Sequence, residues 1–152
     1  MEGAAVSRII RTRPPPINQA RMKKTLIYPA NHPAPRGAYS PGLLVEHGGS
    51  STLFLTGQLA IDREGNVVAP FDATAQAEFV FTLIGSILEA AGMNFSDVVK
   101  VQTFLTHMPD FEKFSAVRNR YFADSKPVST LIEVKGLARK GCCVEIEATA
   151  IK

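Results

Sequence analysis

The sequence predicts a two-layer domain, one mostly antiparallel or mixed β-sheet with two helices on one face. Three observations predict it. Segments that alternate apolar and polar residues surround two segments with apolar residues at three- and four-residue steps, in the order β-β-β-α-β-α-β-β. The chain has 152 residues, 45% of them hydrophobic, which is the size and content of one domain with a real core. The last run, Cys143 to Ile151, alternates over its whole length, with Val144, Ile146, Ala148 and Ala150 on one side and Glu145, Glu147 and Thr149 on the other.

The elements follow in order. Residues 1–22 read as a basic, Pro-containing, disordered arm, and residues 23–152 as the domain. Met22, followed by two lysines, reads as a second plausible start. Thr25–Tyr28 is a short strand, ended by a Pro-rich loop that runs to Gly42. Leu43–His47 and Thr52–Gly57 form a hairpin around Gly48-Gly49-Ser50, and Gly57–Ile61 extends the second strand. Asp72 is the N-cap and Gly92 the C′ residue of a long helix carrying Ala73, Ala77, Val80, Ile84, Ile87, Leu88 and Ala91 on one stripe. Val98–Thr106 is a central strand. Asp110 caps a shorter helix with Phe111, Phe114, Val117 and Tyr121 on its stripe. Pro127 precedes the strand Thr130–Val134, a basic turn between Gly136 and Gly141 holds Arg139 and Lys140, and the alternating run closes the sheet. Such a sheet leaves one face bare, with Phe104 and Ile151 among the residues pointing there, so self-association into a homo-oligomer is expected.

Charge and cysteines narrow the function. The net charge is +3, but residues 1–24 hold six basic residues against one acidic residue. The remaining eleven basic and thirteen acidic residues give the body −2, which argues against a nucleic-acid face on it. No apolar run is long enough for a membrane span; the start does not read as a secretory signal, and its Arg-rich composition faintly resembles an organelle transit peptide, although the three prolines argue against a helical one. The only cysteines, Cys142 and Cys143, are adjacent, which suits neither a disulfide nor a zinc or redox pair; they read as reduced thiols of a cytoplasmic protein, Cys143 on the sheet face opposite Val144. His32, His47 and His107 are isolated and read as structural, with no metal expected. Dinucleotide, Walker and nucleophile-elbow motifs are missing. The polar groups left at strand ends and loops are Tyr39, Ser40, Gly57, Gln58, Arg118, Ser129, Thr130 and Glu145. From pattern alone, Glu145 and Glu147, roughly 7 Å apart along a strand, read equally as a solvated face or as an acid–base group facing a cleft.

Five pieces resemble one family in order and spacing. They are Gly37-Ala38-Tyr39-Ser40-Pro41-Gly42, Thr56-Gly57-Gln58, Ala90-Ala91-Gly92, Pro127-Val128-Ser129-Thr130 and Val144-Glu145-Ile146-Glu147-Ala148. They are similar to the RidA/YjgF (L-PSP endoribonuclease-like) family, over about Met22 to Lys152. The resemblance implies a chorismate-mutase-like α+β two-layer sandwich, assembled as a homotrimer with small-molecule clefts between subunits. It implies an enamine/imine deaminase that needs no cofactor. In that reading Glu145 holds the water, the Thr130 carbonyl assists, Tyr39, Gly57 and Ser129 line the substrate site, and Glu147 supports. The clamp arginine of active members is missing from the Pro127–Thr130 segment, where Val128 stands in its place; Arg118 is the candidate substitute. The alternatives are a non-catalytic trimeric small-molecule-binding protein and, less favoured by the body's charge, an endoribonuclease or translation inhibitor.

Overall fold

A computed structural model describes residues 22–152, so the proposed arm lies outside the described residues except for Met22. The element order is the one the sequence predicts. Strands β1 (Lys23–Ile27), β2 (Gly42–His47) and β3 (Ser50–Leu59) come first. Helix α1 (Ala73–Ala90), strand β4 (Val98–Leu105) and helix α2 (Phe111–Tyr121) follow, and β5 (Val128–Glu133) and β6 (Val144–Ile151) end the chain. All six strands form one mixed sheet, ordered β1-β2-β3-β6-β4-β5. Only β4 and β5 run parallel, with α2 in the crossover between them.

Local chemistry explains the boundaries. Gly48 and Gly49 both take positive φ, 60° and 89°, in the two-residue turn between β2 and β3. The Asp72 carboxylate accepts from the Thr74 and Ala75 amides, 3.0 Å each, and so starts α1. Asp110 makes no side-chain cap; the turn Met108–Asp110 leads into α2 through backbone bonds instead. Phe111, expected on the buried stripe, is exposed, because α2 packs through Phe114, Val117 and the half-buried Tyr121 toward its C-terminal end. The final strand begins at Val144, so its alternation does not reach Cys143; both cysteines are buried, and Cys143 packs in the core beside Val144.

The core lies between the sheet and α1. Val80, Ile84, Ile87 and Leu88 of α1 are fully buried, as are Leu53 on β3, Val101 on β4 and Ile146 and Ala150 on β6. Each large side chain so buried contributes about 1.5–3 kcal/mol. An aromatic cluster ties α2 to α1: the Phe81 and Tyr121 rings stack at 4.5 Å, with Phe95 and Phe122 edge-on to Phe81.

The other sheet face is bare. Register places Leu26, Phe54, Ile151, Phe104, Val128 and Ile132 on it. All but the half-buried Phe104 are exposed, Phe54 by 48% and Val128 by 70%. Glu145 and Glu147 sit on this same face, opposite Phe104 and Gln102 respectively.

Candidate functional site

Register across the sheet separates the two carboxylates. Glu145 lies between Phe104 on β4 and Leu59 on β3, whereas Glu147 lies opposite Gln102. Neither meets a Lys or Arg within salt-bridge distance among the described residues. Burial against its apolar neighbours raises the pKa of Glu145, and the nearby charge of Glu147 raises it further. A half-buried carboxylate that holds a proton more readily than usual is suited to proton transfer near neutrality.

Gly57 sets the position of Glu145. Between Leu55 and Gln58, β3 carries one residue more than β6, a bulge that turns Gly57 toward the carboxylate. A Cβ at position 57 would sit inside the contact shell of Glu145 Oε1 and 3.0 Å from its Cδ. Only glycine lets the carboxylate lie against the strand. Gly57→Ala should therefore displace Glu145, destabilise the fold by about 1–3 kcal/mol and cut any activity that depends on the carboxylate at least tenfold; thermal melts and turnover check both.

The Pro-rich loop covers the same end of β3. The Thr56 amide donates to the Pro41 carbonyl at 3.1 Å, and the Ser40 hydroxyl to the Gly42 carbonyl at 3.0 Å. His32 Nε2 lies 2.7 Å from Gln58 Oε1, while Gln58 Nε2 donates to the Thr56 carbonyl at 2.9 Å. His32 thus braces the loop, in keeping with its structural reading. Beneath the loop is a cleft of about 420 Å³, lined by Tyr39, Thr56, Gly57 and Gln58, among others. Tyr39 and Gly57 share this cleft, and Gly57 links it to Glu145.

The remaining candidates are placed differently. Thr130 is on the bare face, but in the row of Gln102 and Glu147, two strands from β6. Two strand spacings are about 10 Å, too far for one water to touch Thr130 and Glu145 of the same chain. Arg118 and Ser129 meet in another pocket, with Phe111, Asn119 and Lys126, on the helix side of the sheet. The Arg118 guanidinium donates to Asn119 Oδ1 at 3.1 and 3.2 Å and lies 5.9 Å from the Phe114 ring centre. It does not reach the face of Glu145 within one chain. Val128 points to the bare face, so the residue of this segment that faces Arg118 is Ser129, not Val128.

Three arginines that sequence reasoning left out of the site, Arg36, Arg63 and Arg139, also line the Tyr39 cleft. They come from three loops distant in sequence, and a basic turn around Arg139 was the only signal of them. The thiols are chemically quiet. Burial pushes Cys143 up to about 11 and raises Cys142, so both are protonated at neutral pH. Among the described residues no three His, Cys, Asp or Glu side chains group as metal ligands, and no helix is long and apolar enough to cross a membrane.

Comparison with known proteins agrees with this fold. The Endoribonuclease L-PSP family model matches residues 29–152. A RutC family protein of Pyrococcus horikoshii is 38% identical over 129 residues, 85% of this chain and 98% of its own. The 2-iminobutanoate/2-iminopropanoate deaminase of Capra hircus is 36% identical over 129 residues, 85% of this chain and 90% of its own. The crystal structure of RidA from an Antarctic Psychrobacter species superposes with a TM-score of 0.72 at 35% identity, covering 83% of this chain and 98% of that one.

Proposed function

The chain belongs to the RidA/YjgF (Endoribonuclease L-PSP) family, and from that premise we propose that it is an enamine/imine deaminase. It hydrolyses a reactive imine to a carbonyl compound and ammonia. The observation that carries the proposal is the half-buried Glu145 with its raised pKa, seated against Gly57 at the edge of a cleft. The ionised carboxylate takes a proton from water as the oxygen adds to the C=N carbon. The carboxyl passes that proton to the nitrogen, giving a neutral amino alcohol; the carboxylate then takes the hydroxyl proton and hands it to the nitrogen as the C=O forms and the C–N bond breaks, so that ammonia leaves. One water is consumed, and Glu145 ends as it began. The Capra hircus relative, whose name carries this activity, supports the assignment.

The site is completed by self-association. The bare face bears Leu26, Phe54, Ile132 and Ile151 exposed, and a homotrimer would cover it. Thr130 is too far from Glu145 in one chain, so its carbonyl would assist from a neighbouring copy. Tyr39 and Gly57 line the substrate cleft, while Arg118 and Ser129 form a helix-side pocket that a neighbour's edge could complete. Sedimentation equilibrium should give three times the chain mass, and Phe54→Lys should shift it toward monomer; a monomeric wild type would overturn the assembly.

The absence of an arginine from the Pro127–Thr130 segment favours one second reading, a trimeric small-molecule-binding protein without turnover. An imine generated in situ by an amino-acid oxidase separates the two. The deaminase accelerates its decay; the binding protein binds the product saturably and leaves the decay unchanged.

A further inference from the structure

We propose that the cleft beneath the Pro-rich loop is an anion-binding subsite that selects organic carboxylates with an apolar body, held by Arg36, Arg63 and Arg139. The three arginines line one cleft from residues far apart in sequence. Arg139 Nη2 donates to the Gly65 carbonyl at 2.8 Å, which anchors its fork at the rim. The Arg36 guanidinium lies against Gly65, in the space a Cβ would fill, where φ is +88°. Arg63 stands two residues before that glycine. Among the described residues none of the three has a carboxylate within salt-bridge distance. The one acidic side chain in the lining, Asp62, is already held by the Asn66 amide at 2.7 Å and by Asn66 Nδ2 at 3.2 Å. Arginines grouped without carboxylate partners favour an anion, and the planar fork suits a carboxylate.

The rest of the lining says what the anion is attached to. Pro35, Ile61 and Leu83 give the cleft an apolar wall, and about 420 Å³ is room for a ring or branched chain. Gly57 and Leu59 line the cleft and also border Glu145, by contact and by register respectively. The link to Glu145 rests on the deaminase reading; there, the subsite supplies the carboxylate clamp that the Pro127–Thr130 segment lacks and directs the enzyme to bulky 2-imino acids. The anion site itself stands on binding alone.

The test is calorimetric titration of the full chain with phenylpyruvate and with its uncharged methyl ester. Phenylpyruvate should bind saturably and the ester at least tenfold more weakly. Arg36→Gln should weaken phenylpyruvate about tenfold, and Arg36→Gln with Arg139→Gln further. Lys113→Gln, which removes one charge from the exposed outer face of α2, should leave affinity unchanged. Arg36 makes no hydrogen bond among the described residues, so Arg36→Gln is decisive should Arg139 variants fold poorly. Equal binding of acid and ester, no binding of either, or unchanged affinity in Arg36→Gln overturns the subsite. Imine decay measured alongside keeps the two ideas apart. Arg36-dependent binding without turnover sinks the deaminase reading alone, and turnover with Arg36-independent binding sinks the subsite alone.

Discussion

Glu145→Gln is expected to lower imine hydrolysis by about 10²–10⁴-fold, the range attributed to a positioned acid–base group, without weakening the fold. The amide fills the same space beside Gly57 and Phe104 but takes no proton from water. Stability follows from the direction of the pKa shift. The folded pKa is raised, so the ionised carboxylate is disfavoured in the folded state. Its protonated form favours folding below the unfolded value of about 4.5, and that advantage is lost as pH rises through the higher folded value. At neutral pH the variant should therefore melt at or above the wild-type temperature, and the gap should close in acid. A variant that loses activity together with its fold would leave Glu145 a structural residue; a stable variant with full activity would remove it from the mechanism.

Gln76→Ala should be the most damaging of the substitutions to the fold itself. Gln76 is fully buried on α1, and its amide donates to the Ala69 carbonyl at 3.0 Å and the Gly141 carbonyl at 2.8 Å. Its oxygen accepts from the Cys143 amide at 2.8 Å. One side chain thus holds the turn at Ala69–Phe71, whose residues 69 and 71 sit at positive φ of 41° and 64°, against the chain entering β6. Truncation leaves three buried backbone groups to find other partners, at about 1–3 kcal/mol each before relaxation. A loss of about 3–5 kcal/mol, or on the order of 10 °C in melting temperature, is expected. Because Glu145 lies two residues beyond Cys143, activity at a permissive temperature should fall too. A melting temperature within a degree of wild type would show that these bonds do not hold the strand entry.

The parts of the molecule legible in the sequence are those written in local periodicity. Alternation in Val144–Ile151 and the stripe through Val80, Ile84, Ile87 and Leu88 place the sheet and α1 because each residue's face follows from its neighbours. α2 is less legible. Phe111 matches the stripe by spacing, but the helix end lifts away from the core, which depends on how α2 docks. The site is harder still, since register between distant strands decides it. Glu145 and Glu147 look alike in sequence; they differ because Phe104 faces one and Gln102 the other. The same holds for Arg118. Its spacing does not reveal that α2 puts it behind the sheet with Ser129, while Val128 faces forward. Arg36, Arg63 and Arg139 were invisible as a group because three loops bring them together.

The most direct test of Glu145 as the proton-transferring group is the pH dependence of imine decay, corrected for the spontaneous rate, in wild type and Glu145→Gln. The wild-type acceleration should fall as pH drops through a midpoint above the ordinary carboxylate value, since the ionised form takes the proton from water. In the variant the small residual acceleration should lack that limb. The same limb, at the same midpoint, in both proteins would contradict the account.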